Sequence, residues 1–292
     1  MTASSPSDTE SDLPPGLCWC SDEQPGFGRR RAGKGFAYLD RKGEVIRDPK
    51  IRARINALAI PPAWTDVWIC PRANGHIQAI GRDAKGRKQY RYHADWNTHA
   101  SESKFERMPA FARALPRLHE RVDADLNKRG PCRDKVLATV VRLLELTLIR
   151  IGNARYAKQN RSYGLTTLNK RHLEVDGASL TFAFRGKSGQ SHEGSVRDRR
   201  LARVIRTLRE LPGQPVFQYR AEEGEMATVT SDAVNAYIRE AMGEDFSAKD
   251  FRTWAGTVSA ARVLCETEPP TSPTDAKRKI AACCRTGSGL LG

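Results

Sequence analysis

The chain has 292 residues, 28% charged and 39% hydrophobic, with 49 Lys and Arg against 34 Asp and Glu and a formal net charge of +15. That is enough apolar material for cores in about two domains, and too much for a wholly disordered basic tail. No apolar run approaches the ~18 residues of a membrane span, and the first residues lack the pattern of a secretory signal. Seven cysteines without paired C-x-x-C spacing argue against a disulfide scaffold or zinc site and for a reducing cytoplasm.

Residues 1–25 hold five acids (Asp8, Glu10, Asp12, Asp22 and Glu23) and no Lys or Arg. The body after them carries 49 basic and 29 acidic residues, a net +20, which points to a polyanionic partner. Residues 1–15 are rich in Ser, Thr, Pro and acids and read as a disordered acidic leader. Residues 16–94 read as a small β-rich domain, with strands expected at 35–39, 66–70, 76–81 and 88–93. One short helix interrupts them, with Asp48 as N-cap, Pro49 at its first position and Ile51, Ile55 and Leu58 on one face. Tyr90 and Tyr92 alternate along the last strand, so both rings face one side. A core pair packed under a helix is the bland alternative for them.

From residue 95 to 267 the period is mainly helical. Helices are expected near 102–128 and 133–151, then a β-hairpin with strands 180–186 and 191–196 about a KSGQ turn. Further helices are expected near 199–211, 231–242 and 248–266, followed by a Pro-rich loop at 268–274. The six arginines from Arg197 to Arg209 read mostly as a solvated helix face. The fold class is α+β: a β-rich N-terminal domain and a mainly α-helical domain with a hairpin, able to clamp a rod-shaped partner.

Three cations stand out. Arg150 ends an apolar helix in TLIRIGN, Lys187 sits at the hairpin tip in FRGKSGQSHE, and Arg252 starts a helix in KDFRTWAGT. Taken singly, each is ordinarily a surface group, an ion pair or a solvated turn residue. FRGKSGQS lacks G-x-x-x-x-G-K and a following helix, so it is no nucleotide loop, and the six histidines show no metal-binding spacing.

Read together, LIRIGNARYAKQNRSYGLTTLNKRHLEV (148–175), FAFRGKSGQSHE (182–193) and KDFRTW (249–254) resemble the type IB DNA topoisomerases, most closely the short bacterial and poxvirus-like branch. The run from Pro61 to His93 is similar to that branch's β-rich cap, and the resemblance covers roughly residues 16–264. It implies a monomeric, bacterial, cytoplasmic and nucleoid-associated enzyme acting on duplex DNA with no membrane partner and no cofactor. A tyrosine attacks a phosphodiester, a 3′-phosphotyrosine link holds the cut strand while it swivels, and the free 5′-hydroxyl reverses the step. The covalent link conserves the ester energy, so neither ATP nor metal is needed. By resemblance, Arg150 and Arg252 hold the scissile phosphate and Lys187 protonates the 5′-oxygen. Guanidinium groups suit the first role through permanent charge and paired N–H donors. The same resemblance turns Tyr90, Tyr92, Arg87 and Arg91 toward DNA, and gives His192 no established role.

Lys249 separates close relatives. Tyrosine recombinases (integrases) share the Arg–Lys–Arg set but resemble H-x-x-R before the second arginine. Here the pattern is K-x-x-R, the topoisomerase form, with recombinase as the alternative. The family completes its site with a G-x-T-P-like segment and the nucleophilic tyrosine after the second arginine. The seven tyrosines here are Tyr38, Tyr90, Tyr92, Tyr156, Tyr163, Tyr219 and Tyr237, and none follows Arg252. The tail, 268–292, matches no part of that motif, although DAKRKIAA begins like the helix before it. The expectation is a frame shifted or cut near Ala281, and a chain that binds DNA as a non-catalytic clamp. Tyr237 is the nearest upstream substitute nucleophile, out of the family's order.

Overall fold

A computed structural model describes residues 13–221 and 224–291. The expected leader, 1–15, lies outside the described residues except for its last three. The chain divides into two units, Met1–Lys104 and Phe105–Gly292.

The first unit is built on one antiparallel sheet. Its strands are β1 (Phe27–Ala32), β2 (Gly35–Leu39), β3 (Thr65–Ile69), β4 (Ile77–Arg82) and β5 (Lys88–Tyr92), in the order β2-β1-β3-β4-β5. Helix α1 (Pro49–Ala57) starts at Asp48, whose carboxylate accepts from the amides of Lys50 at 2.7 Å and Ile51 at 3.2 Å. Ile55 of α1 is fully buried and joins Ile46, Val67, Ile69 and Ala79 in this unit's core. Strand β1 escapes the sequence reading because three consecutive arginines hide its alternation. The structure gives Arg29 an inward role: its guanidinium donates to the carbonyls of Ile60, Pro61 and Trp64 and lies 4.1 Å from the Phe36 ring centre.

Helix α2 (Ala94–Glu106) leads to the second unit, whose first helix is α3 (Met108–Leu126). The single helix expected at 102–128 is therefore two. Pro109 has no N–H to donate and its ring crowds the preceding turn, so the helix restarts at Met108. Then come α4 (Arg133–Thr147), α5 (Ala154–Asn160), and strands β6 (Leu173–Asp176), β7 (Ser179–Arg185) and β8 (Ser191–Arg197) in one antiparallel sheet, β6-β7-β8. The expected hairpin is β7–β8, and β6 adds a third strand unforeseen in the sequence. Helix α6 (Arg199–Glu210) precedes a short pair, β9 (Gln218–Arg220) and β10 (Met226–Thr228). Helices α7 (Ser231–Met242), α8 (Ala248–Cys265) and α9 (Pro273–Leu291) follow.

Strand β7 alternates as a half-buried strand must, with Leu180, Phe182 and Phe184 inward and Thr181, Ala183 and Arg185 outward. Each buried phenyl contributes roughly 1.5–3 kcal/mol over exposure. Phe111 of α3 meets Phe246 at 5.2 Å and Phe251 at 5.1 Å, edge to face, which anchors the start of α8 against α3. On α6, Leu201, Val204, Ile205 and Leu208 are buried, so its arginines face outward. Arg200 is held by Asp123 and Asn127, both at 2.8 Å. The tail continues as a helix well beyond DAKRKIAA. Residues 273–291 are helical through Gly287 and Gly289, with Cys283 buried and its thiol 3.7 Å from the Ala260 carbonyl of α8. Packing on α8 outweighs the low helix propensity of two glycines. No helix of the described residues is long and apolar enough to cross a membrane.

Candidate active site

The second unit gathers cations from three separate stretches. Helix α4 ends at Thr147, where Leu148 turns left-handed at φ 54°. Arg150 thus lies beyond the helix that the sequence extends to Ile151. Buried Leu148 and Ile149 pin the backbone, and Arg150 itself is exposed. The segment is clamped a second time: the amide of Leu165 donates to the Arg150 carbonyl at 2.9 Å, and that of Thr166 to Ile151 at 2.8 Å. Gly152, at φ +88°, and Gly164 let these two segments touch. A Cβ on Gly164 would sit 2.4 Å from the Arg150 carbonyl oxygen and 2.6 Å from the Gly152 Cα.

Arg252 enters from the start of α8. Ser247 and Asp250 form a capping box, with the Ser247 amide donating to the Asp250 carboxylate at 2.8 Å. Phe251 and Thr253 are buried on either side of Arg252, and its guanidinium donates to the Leu148 carbonyl. Burial first, and the charge of Arg150 second, lower its pKa to about 10. It remains charged at neutral pH, so the fold holds two guanidiniums close enough to repel.

The third stretch is strand β8. His192 pairs with Phe184 across β7–β8, their ring centres 4.9 Å apart. Burial, then Arg252, then Arg150 depress its pKa below the ordinary imidazole value, so it is neutral at pH 7. The sequence carried only a faint signal for it: an alternating strand residue five positions beyond Lys187. Lys187 stands in the one-turn 3-10 helix Lys187–Gly189 at the tip of the same hairpin, closed by the Gly186 amide donating to Gln190 at 2.8 Å. Its ammonium is exposed and makes no side-chain hydrogen bond or ion pair among the described residues. Lys249, also exposed, lies three residues before Arg252 and so on the same side of α8. Tyr237 is elsewhere. It is 3% exposed, its hydroxyl donates to Asp125 at 2.8 Å, and burial and that carboxylate raise its pKa.

In the first unit, Tyr90 and Tyr92 share one side of β5, with rings stacked at 5.8 Å and 14°. They are 41% and 39% exposed, which disposes of the core-pair alternative. Arg91 donates to the Ala59 carbonyl at 3.0 Å, and Arg87 pairs with Asp83 at 2.6 Å. A cavity of about 640 Å3 is lined by Tyr90, Arg91, Tyr92, Arg54, His93 and Asn97.

Two family models match this chain. The catalytic core of eukaryotic DNA topoisomerase I matches residues 93–291, and the N-terminal domain of bacterial DNA topoisomerase IB matches residues 35–83. The chain belongs to the type IB DNA topoisomerase family. It is 35% identical over 258 residues to DNA topoisomerase 1B of Acanthamoeba polyphaga mimivirus, covering 86% of this chain and 76% of the viral one. Against DNA topoisomerase 1B of vaccinia virus (strain Copenhagen) it is 29% identical over 168 residues, 55% of this chain and 52% of the relative. DNA topoisomerase 1 of Mycosarcoma maydis is 24% identical over 74% of this chain, which spans 22% of that protein. Among solved structures, the XerH site-specific recombinase bound to difH substrate aligns at 12% identity over 51% of this chain and 42% of its own, with a TM-score of 0.35, too low to bear on the fold. As a type IB family member, the chain has both of the family's parts in order. The core match runs to residue 291, through the last described residue of α9.

Proposed function

We propose that the paired guanidiniums of Arg150 and Arg252 are an anion site for the scissile phosphate of duplex DNA. The observation that supports this most is their forced proximity. Two guanidiniums close enough to repel, one exposed and one partly buried, favour an anion that both can reach. In this reading the phosphoryl oxygens gain charge in the transition state, and the two fixed forks stabilise that charge without reorganising. Lys187, free at a hairpin tip, delivers the proton to the departing 5′-oxygen. Lys249 adds a fourth cation on the α8 side. Tyr90 and Tyr92 offer ring faces and hydroxyls to the duplex, with Arg87 and Arg91 flanking them. We assign DNA grasping to residues 16–94 and phosphate activation to 95–267, in a monomer working inside the cell.

Within these 292 residues no tyrosine follows Arg252. Tyr237 is a poor substitute: attack requires an accessible oxygen and a phenol ready to lose its proton, and Tyr237 has neither. The family's reaction is relaxation of supercoiled DNA; with no tyrosine after Arg252 among them, these 292 residues are expected to bind duplex without forming the covalent link. The test mixes the chain with supercoiled plasmid in chelator and without ATP, then traps adducts by denaturation. Retention of plasmid without relaxation is expected. Relaxation, or a DNA-linked chain, would overturn the assignment of a missing nucleophile, and absence of binding would overturn the phosphate site.

A further inference from the structure

A cluster of thiols in the first unit is untouched by this chemistry. Residues 18–20 run alongside 74–77: the Cys18 amide donates to the Asn74 carbonyl at 2.9 Å and the His76 amide to the Cys18 carbonyl at 3.0 Å. This lays Cys20 beside Cys70, just past the end of β3. The two sulfurs converge on one point, since a Cβ on Gly75 would lie 2.5 Å from the Cys70 Sγ and 2.8 Å from the Cys20 Sγ. Only a glycine there leaves room for both. The Cys20 thiol donates to the Ile77 carbonyl at 3.1 Å, so it keeps its proton. Arg54 reaches the Cys70 carbonyl at 2.7 Å, which brings a guanidinium next to the Cys70 sulfur.

A buried thiol is usually an inert small hydrophobe. Three features set this pair apart. The sulfurs face each other, two arginines attend one of them, and both line a cavity of about 200 Å3 with Trp68, Arg41 and Arg72. A neighbouring thiol first, then the Arg72 amide and the charges of Arg54 and Arg72, pull the Cys70 pKa down against the opposing effect of burial. Cys20 is pushed the other way by Cys70 and by burial. The two shifts run in opposite directions, so Cys70 gives up its proton more readily than Cys20. Among the described residues no three ligating side chains are placed to hold a metal.

We propose that Cys70 and Cys20 are a dithiol that hydrogen peroxide oxidises to a disulfide, with Cys70 attacking and Cys20 resolving. Peroxide is close to water in size, and the cavity has room for several waters. The Cys70 thiolate attacks one peroxide oxygen: an S–O bond forms, the O–O bond breaks, and the departing hydroxide is protonated to water. The Cys20 sulfur then attacks the Cys70 sulfur: an S–S bond forms, the S–O bond breaks, and hydroxide leaves with the Cys20 proton as a second water. Two thiols lose two electrons, and one peroxide gains them.

The experiment exposes the folded full chain to peroxide at pH 7, quenches with N-ethylmaleimide at intervals and maps peptides by mass spectrometry. A Cys20–Cys70 cross-link, about 2 Da lighter than the reduced pair, is expected to form about tenfold faster than the exposed Cys265 or Cys284 is oxidised. In Cys20→Ser, Cys70 is expected to stop at the sulfenic acid and to take up dimedone, while Cys18→Ser leaves the rate unchanged. Oxidation of Cys70 no faster than Cys265, a Cys70 link to Cys18, or no dimedone adduct in a Cys20→Ser chain whose circular dichroism matches the parent would each overturn the proposal. The rate in the unaltered chain decides the matter even if the variant fails to fold.

Discussion

The hydroxyl of Tyr237 sits 2.8 Å from an Asp125 carboxylate that is itself 2% exposed and also held by Arg121 at 2.7 Å and Lys128 at 2.6 Å. Burial opposes ionisation of Asp125, but hydrogen bonds from Lys128, Arg121 and Tyr237 outweigh it and hold the carboxyl below its ordinary value. Stability from this network is therefore complete above the unfolded pKa of about 3.8 and is lost as pH falls through the lower folded value. Tyr237→Phe leaves one acceptor bond of a charged group unmade and is expected to cost about 1–3 kcal/mol in denaturant unfolding at pH 7. It should cost less once acid has protonated Asp125, and plasmid retention should be unchanged. For His192 the linkage that matters is to anion binding rather than to folding. Its folded pKa lies below 6.5 because of burial, Arg252 and Arg150. A phosphate between the arginines cancels their repulsion and raises that pKa, so anion binding takes up a proton. Duplex affinity is then expected to rise as pH drops from about 7.5 to 5.5, and His192→Gln should flatten that rise in an anisotropy titration. Neither partner set was legible in the sequence, because Asp125 and Tyr237 are 112 residues apart and meet only through packing.

At the scale of elements, the Arg150 segment shows how backbone contact places a cation. The sequence pattern carries α4 on to Ile151 because Leu148 and Ile149 continue its apolar run. The structure stops it at Thr147 because the next residues pair with Leu165 and Thr166 instead. Gly152 and Gly164 look like loop punctuation in the sequence, and only the crossing shows that both are needed there. Gly164→Ala forces a Cβ to within 2.4 Å of the Arg150 carbonyl oxygen, so the backbone must shift. It is expected to destabilise the chain by about 1–3 kcal/mol and to weaken duplex binding as much as Arg150→Ala does. Gly194→Ala, with nothing within 4 Å of its Cβ, is the control, and calorimetry with gel shift measures both. Periodicity did reveal α1, α6, α7, α8 and the β7–β8 hairpin, whose buried faces follow the apolar residues. It missed β1, where arginines occupy the strand, and it merged α2 with α3, where Pro109 restarts the helix.

Across the whole molecule the charge has a measurable consequence. A body of +20 should bind duplex with a steep salt dependence, log affinity falling by about 0.9 per phosphate neutralised for each decade of salt. Arg150→Ala, Arg252→Ala and Lys249→Ala are each expected to lower that slope by about one, while Lys187→Ala should leave it nearly unchanged if its proton is needed only when the strand is cut. A flat salt response in the unaltered chain would remove DNA from the account. The sequence by itself determined the basic charge, the order of motifs that marks the family, the helical and strand periods, and the lack of a tyrosine after Arg252. Those are properties of composition and local spacing, readable without knowing what touches what. Tertiary structure alone decided that Arg252 meets the Leu148 carbonyl, that His192 joins the two arginines, that Tyr237 is withdrawn into a salt-bridged core, and that Cys20 faces Cys70. Each of these pairs residues far apart in the chain, and their pKa values depend on burial and neighbouring charge, which exist only once the chain has packed.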